Sequence, residues 1–182
     1  MRRLLAGDRS GFAGHRFFLA PDTGLNYEPL RRKVPLMIGT WASRTAALAG
    51  EVAEELKLGG CANPEMVRVA REWIGNDAVR IVVGAVTVVD EDGAAARRRA
   101  RAEVELYLPV VAHRDPTLEL RDGQEPPLDR FVFAGTPKEV AAHAERMFEA
   151  GASRVDFGTP QGLTTPAGLE LIARQVLPNL RR

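Results

Sequence analysis

The 182-residue chain has one cysteine, three lysines and few aromatic side chains. With Cys61 alone, no internal disulfide can form and no cysteine-based zinc site is possible. No apolar run approaches the roughly 20 residues that span a bilayer. The opening MRRLLAGDRSG lacks the apolar core and small-residue cleavage site of a signal peptide. Net charge is nearly missing too. Against 24 acidic residues stand 25 basic ones, which leaves no field to recruit nucleic acid or an anionic membrane. His15, His113 and His143 lie far apart and show no metal-ligand spacing. A cytoplasmic protein with no metal, nucleic-acid partner or membrane contact is the expectation.

Apolar residues make up 45% and charged residues 27%, the composition of a globular domain, and the length suits one well-buried domain. Four apolar or β-branched runs read as buried strands: VPLMIG (34–39), LKLGG (56–60), VRIVVGAVTVV (79–89) and RVDFG (154–158). Helical segments follow them. Residues 42–56 place Thr45, Leu48, Ala49, Val52 and Leu56 on one face. Asn63 and Pro64 open a second helix as cap and first residue. Residues 94–108 carry a charged face and a narrow apolar one through Val104 and Leu108. In 136–151, Thr136 and Glu139 form a capping box, Pro137 takes the first helical position and Gly151 closes the end. A last helix runs from Thr165 to about Leu177, where Pro178 stops it. Strands alternating with helices predict an α/β fold with a parallel sheet.

Two stretches break that rhythm. FAGHRFFLA (12–20) reads as a hairpin-like excursion, and the Pro-, Gly- and charge-rich segment 113–130 as a long, mobile surface loop. His143 falls mid-helix on a solvated or half-buried face. The basic runs Arg97–Arg101 and Arg31–Lys33 read as solvated surface rather than nucleic-acid patches.

The strand-to-helix elbow Gly39-Thr40-Trp41-Ala42 carries the most chemistry. A helix start presents unpaired N–H groups and the positive end of its dipole, which favours anions. Gly39 permits close backbone approach, Thr40 and Ser43 offer hydroxyls, and Arg44 offers a planar cation. The competing reading has Thr40 or Ser43 capping the helix and Trp41 packing on a neighbour. After the second strand, Gly59, Gly60 and Cys61 form either a ligand-facing turn or a plain tight one. Cys61 has no positive partner beside it in sequence, so it reads as a small rim or core residue. FGTPQGLTTP offers Thr159, Gln161 and Thr164 to a third rim loop or to simple turn chemistry.

The elbow, the Gly59-Gly60 turn and FVFAGTPKEVAAHAERMFEAGASRVDFGTP together resemble the luciferase-like flavin- or deazaflavin-dependent oxidoreductases. PLMIGTWASRTAALAGEVAEELKLGGCANPEM and GAVTVVDEDGAAARRRARAEVELYLPVVA are similar to the methylenetetrahydromethanopterin reductase branch. The resemblance implies the C-terminal half of a TIM (β/α)₈ barrel, because a complete barrel takes about 250 residues. It implies one domain over 1–182, with a lead-in at 1–33 and four strand–helix units over 34–182. It further implies hydride transfer between the cofactor and a small organic substrate of methylene-tetrahydropterin type, in an enzyme of reductase or monooxygenase kind. The cofactor would be a deazaflavin of coenzyme F420 type ahead of FMN. Its phosphate-bearing tail would meet Gly39, Thr40, Trp41, Ala42, Ser43 and Arg44, with Gly59, Gly60 and Cys61 beside them. Thr159, Gln161 and Thr164 would face substrate or rim. No residue matches a catalytic acid or base. A half-barrel implies two open sheet edges and an apolar inner face, hence a homo-oligomer or a complementary N-terminal half chain as partner. The alternatives are a non-catalytic flavin- or phosphate-binding remnant and an inactive structural fragment.

Overall fold

A computed structural model describes residues 2–31, 33–121 and 123–180. Arg32 of the basic run 31–33 and Asp122 of the long loop lie outside the described residues. Packing divides the chain into two units, residues 1–36 and 37–182. The first unit holds helix α1 (Arg2–Leu5) and a hairpin of β1 (Phe12–Ala13) and β2 (Phe18–Leu19), paired antiparallel as Phe12 to Leu19 and Ala13 to Phe18. An Arg3–Asp8 ion pair at 2.6 Å ties the turn after α1.

The second unit is a parallel sheet backed by helices. Its strands are β3 (Met37–Gly39), β4 (Glu55–Gly59), β5 (Arg80–Val89), β6 (Val132–Gly135) and β7 (Arg154–Gly162). There are five strands here where the sequence patterning shows four. The extra one, β6, is a four-residue run in which an apolar stretch passes straight into the Thr136-Pro137 helix start, too short to stand out by periodicity. β7 pairs with β5 from Val82 to Val89 and so occupies one edge of it. β4 pairs with Glu55 to Gly59 against Arg80 to Gly84, and β6 with Val86 to Val89, so those two follow one another along the other edge. Four strands therefore run side by side across the sheet, and the fifth prolongs the line of β4.

Helix α2 (Ser43–Val52) is shorter than its pattern suggests, and Leu56 belongs to β4 instead. Its buried face is Ala46 and Ala49, while Leu48 and Val52 are exposed. Small residues win because the helix lies close against α3 (Pro64–Ile74): a Cβ added at Gly50 would overlap the Ile74 carbonyl oxygen. Residues 94–108 form two helices, α4 (Gly93–Val104) and α5 (Leu108–Ala112), with Pro109 in the first turn of α5. α6 (Pro137–Glu149) carries the capping box in full, with Thr136 and Glu139 each bonding the other's backbone. α7 (Thr165–Leu171) widens into a π-helical stretch, Ile172–Val176, and ends in a 3₁₀ turn, Leu177–Asn179.

Alternation along β4 sends Leu56 and Leu58 into the core under the helices and turns Glu55 and Lys57 to the opposite face. The same alternation puts Arg154 and Asp156 of β7 there. The resemblance implies an apolar inner face, but this face carries a ladder of ion pairs. Arg80 meets Glu55 at 2.8 Å, Arg154 meets Glu55 at 3.5 Å and Asp156 at 3.0 Å, and Lys57 meets Asp156 at 2.5 Å.

The described residues of the segment 113–130 form no strand or α-helix, yet they are pinned rather than loose. Leu118, Leu120 and Leu128 pack on the core that α4 and Phe131 share. Asp115 is buried, bonding the Thr117 amide at 2.9 Å and its hydroxyl at 2.6 Å. Asn63 Nδ2 donates to Asp115 at 2.9 Å and to Thr117 Oγ1 at 2.8 Å. Arg130 closes the lock on Glu65 at 2.8 Å and Thr117 at 3.2 Å.

Candidate functional site

The carboxyl ends of β3, β4 and β7 each feed a helix, and the three joints differ. At the first, Thr40 Oγ1 accepts from the Ala42 amide at 3.0 Å, and Ala42, which cannot cap through its side chain, stands at the helix start. Among the described residues the amides of Ser43, Arg44 and Thr45 have no hydrogen-bond acceptor. Ser43 and Arg44 are exposed, and among the described residues Arg44 has no acidic partner. Trp41 folds back: its indole N–H donates to the Gly59 carbonyl at 2.7 Å and its ring stacks on Phe131 at 6.5 Å.

The second joint is tied down by the chain itself. The Gly60 and Cys61 amides donate to Gly84 O at 2.7 and 3.3 Å, and the Ala62 amide to Arg130 O at 2.9 Å. His143 Nε2 reaches Ala62 O at 2.7 Å, and Asn63 Oδ1 caps α3 by accepting from the Glu65 amide at 3.1 Å. His143 is buried at mid-helix against Phe133, not on a solvated face, and burial holds its pKa below the usual histidine value. Cys61 is fully buried as well. Burial pushes its thiol up to about 12, so its side chain belongs to the core rather than the rim.

At the third joint Thr159 and Thr164 are exposed. The Gln161 amide turns back onto the backbone of its own segment, bonding Phe157 O at 3.3 Å as placed, or Pro160 O and the Thr159 amide with its ends exchanged. A Cβ at Gly162 would stand 2.5 Å from Gly168 Cα, so the start of α7 sits directly on the end of β7. α7 has no side-chain cap.

Between these joints lies a cavity of about 450 Å³ on the open face of the sheet. Its floor includes glycine on three adjacent strands: Gly59 of β4 pairs with Gly84 of β5, whose partner on β7 is Asp156, and Gly158 stands one row further along, opposite Val86. Tyr107 and Val111 form a wall, and Lys57 and Asp156 the charged end. Each glycine has its own reason. Gly158 lies against the Ala85 carbonyl, where a Cβ would come within 2.6 Å. Bare Gly84 lets the Lys57 stem cross β5 to Asp156, since a Cβ there would stand 3.4 Å from Lys57 Cε and 3.1 Å from Asp156 Cβ. Gly59 is different: nothing lies within 4 Å of an added Cβ, and its φ is not in the left-handed region. Gly39 is similarly free, with only Lys57 O at 3.9 Å. Neither packing nor backbone requires glycine at these two strand ends.

Of the residues singled out by sequence, the structure brings Gly59 and Gly60 to one cavity and ties Trp41 to its edge. It leaves Cys61 in the core and folds Gln161 back on itself. Sequence reading passes over Lys57 and Asp156. A charged side chain amid the apolar runs ELKLG and RVDFG was the available signal. Among the described residues, no cluster of three or more His, Cys, Asp or Glu can hold a metal ion, and no helix is long and apolar enough to cross a membrane.

A parallel sheet with glycine-rich strand ends feeding helices defines an α/β protein, and folds of that class bind ligands at the carboxyl ends of their strands. The chain belongs to the luciferase-like monooxygenase family, whose sequence profile matches residues 1–154. It is 24% identical to the 5,10-methylenetetrahydromethanopterin reductase of Archaeoglobus fulgidus, over the whole chain and 64% of that relative. The fold matches the coenzyme F420-dependent tetrahydromethanopterin reductase of Methanopyrus kandleri with a TM-score of 0.80 at 20% identity, covering 99% of this chain and 60% of that one. It also matches the oxygenating constituent of 3,6-diketocamphane monooxygenase from Pseudomonas putida, a Type II Baeyer–Villiger enzyme in complex with FMN. There the TM-score is 0.64 at 16% identity, covering 99% of this chain and 60% of that one. The chain thus spans somewhat under two thirds of the length of these relatives.

Proposed function

We propose that this chain supplies the tail-binding side of a deazaflavin- or flavin-dependent oxidoreductase site. The observation that carries the reading is the unfilled space over Gly39 and Gly59 beside the uncapped start of α2. A strand end that needs no glycine for itself, next to three free amides, suits close approach of an anionic group. Ser43–Thr45 amides would hold a phosphate, and Thr40 and Ser43 hydroxyls and the unpaired Arg44 guanidinium would fix its orientation. Trp41, held by Gly59 and Phe131, forms a rigid shoulder beside that path. The N-terminus of α3 is a poorer candidate, because Asn63 already caps it. Gly59 and Gly60 would face the cofactor's body, and Thr159, Gln161 and Thr164 the substrate side of the rim.

When bound, such a cofactor supplies hydride transfer, and the protein's part is to bind it, orient it and exclude water. A deazaflavin of F420 type takes precedence over FMN, supported by the F420-dependent Methanopyrus enzyme matching the fold at the higher TM-score. A methylene-tetrahydropterin substrate is supported by the Archaeoglobus relative. A second copy or a complementary half chain would complete the site. What supports this is the share of the relatives' length covered and the fact that, among the described residues of the second unit, β3 and β7 each pair with a single strand. The test is titration with FMN and with riboflavin, which lacks the phosphate. FMN should bind more tightly, and Arg44→Ala should erase that advantage. Equal binding of the two ligands by the parent chain would refute the tail-binding role.

A further inference from the structure

Lys57 and Asp156 are a charged pair set into the end of a cavity otherwise lined by glycine, alanine, valine and tyrosine. Both remain about one third exposed, at 33% and 35%, so neither is sealed into a core. The ammonium is aimed. β5 carries glycine at position 84, so the lysine stem lies flat across that strand and its Nζ meets Asp156 Oδ2 at 2.5 Å. The other carboxylate oxygen is held by Arg154 Nε at 3.0 Å, and Arg154 is itself braced by Glu55. An ammonium has three donors. Asp156 is its one hydrogen-bond partner among the described residues, which leaves donors facing the cavity. The floor beside it is low where Gly59 and Gly84 pair across β4 and β5, and it continues one row on past Val86 to Gly158 of β7.

We infer that Lys57 is a ligand-binding residue, whose ammonium takes a carbonyl oxygen on the edge of a planar ring laid on the Gly59–Gly84–Gly158 floor. Asp156 is the positioning residue that holds the ammonium there. The inference rests on the cofactor reading above and assigns the ring, rather than the tail, to this cavity. Geometry favours a planar heterocycle over a flexible chain: paired Gly59 and Gly84 leave a low shelf, Tyr107 and Val111 form one wall, and the donor stands at the edge. The pair also keeps the site nearly neutral, so that an uncharged carbonyl edge suits it better than a second phosphate.

The experiment is equilibrium titration of the full chain with riboflavin and with FMN, followed by flavin fluorescence, together with thermal melts of every variant. Lys57→Met should weaken riboflavin and FMN alike by about tenfold to a hundredfold, the loss expected for a hydrogen bond from a charged group. Lys57→Arg should recover part of it. The double variant Lys57→Met/Asp156→Leu removes the orphaned carboxylate and should remain weak. If the double variant binds as the parent does, the pair is a structural tie and Lys57 touches no ligand. Loss confined to FMN would place Lys57 on the phosphate and overturn the ring assignment. Failure of the inference alone leaves the FMN advantage and its Arg44 dependence intact. A parent chain that binds neither flavin, nor a deazaflavin of F420 type, at millimolar concentration defeats both.

Discussion

Replacing Asn63 by alanine tests whether the long segment 113–130 is structural, and its cost can be worked from the bonds it breaks. Asn63 is 1% exposed and does two jobs at once. Its Oδ1 caps α3 on the Glu65 amide, and its Nδ2 bridges Asp115 and Thr117. Loss of a cap costs about 1 kcal/mol. Taking a donor from a buried, hydrogen-bonded carboxylate adds about 1.5–3 kcal/mol. The sum, roughly 3 kcal/mol, is a large part of the ~5–15 kcal/mol that holds a domain together. For a unit of this size it corresponds to a melting temperature lower by about 6–12 °C. The assay is a thermal melt followed by far-UV circular dichroism, with hydrogen exchange of the Thr117 and Leu118 amides beside it. Asp115→Asn should cost about as much, because both carboxylate oxygens accept, from Asn63 on one side and Thr117 on the other, and an amide would turn its NH2 toward one of those donors. A drop under 2 °C for Asn63→Ala, with unchanged exchange at Thr117, would show that the lock carries no load and that the apolar contacts of Leu118, Leu120 and Leu128 hold the segment by themselves.

Gly59→Ala should raise stability by about 0.4–1 kcal/mol, because nothing opposes the Cβ and the unfolded chain loses freedom. It should weaken flavin binding all the same. A stabilised variant that binds normally would show that the space over Gly59 serves no ligand. Gly50→Ala should destabilise by roughly 1–3 kcal/mol through overlap with the Ile74 carbonyl, visible as a lower denaturant midpoint with an unchanged slope. His143 supplies a pH dependence. Burial keeps its folded pKa below the unfolded value near 6.5, so as pH falls below about 6.5 the unfolded chain takes up a proton that the folded one refuses. Stability from this group is complete above that value and is lost on acidification. Melts at pH 7.5 and 5.5 should differ, and His143→Gln should flatten the difference. An unchanged slope in the variant would assign the acid sensitivity elsewhere.

Much of the fold was present in local chemistry. The Thr136–Glu139 capping box, the Asn63-Pro64 helix start and the apolar run from Val79 to Val89 each act within a few residues, so the order of residues is enough to specify them. The hairpin at 12–20 and the elbow at Gly39–Ala42 were legible for the same reason. What failed were statements about distance. Ala46 buries beside Ala49 while Leu48 and Val52 stay exposed, because Gly50 lets α2 lie against Ile74, a neighbour 24 positions away. His143 and Cys61 are buried because β6, α3 and the segment near Arg130 close over them. The charged inner face needed the register of three strands: Lys57 and Asp156 are 99 residues apart, and only the bare crossing at Gly84 makes them partners. Sequence determines which residues can cap, turn or alternate, since those are short-range steric and hydrogen-bonding preferences. Which glycines stand over open space and which merely clear a backbone was decided by tertiary structure alone, because a missing Cβ acquires meaning only from what surrounds it.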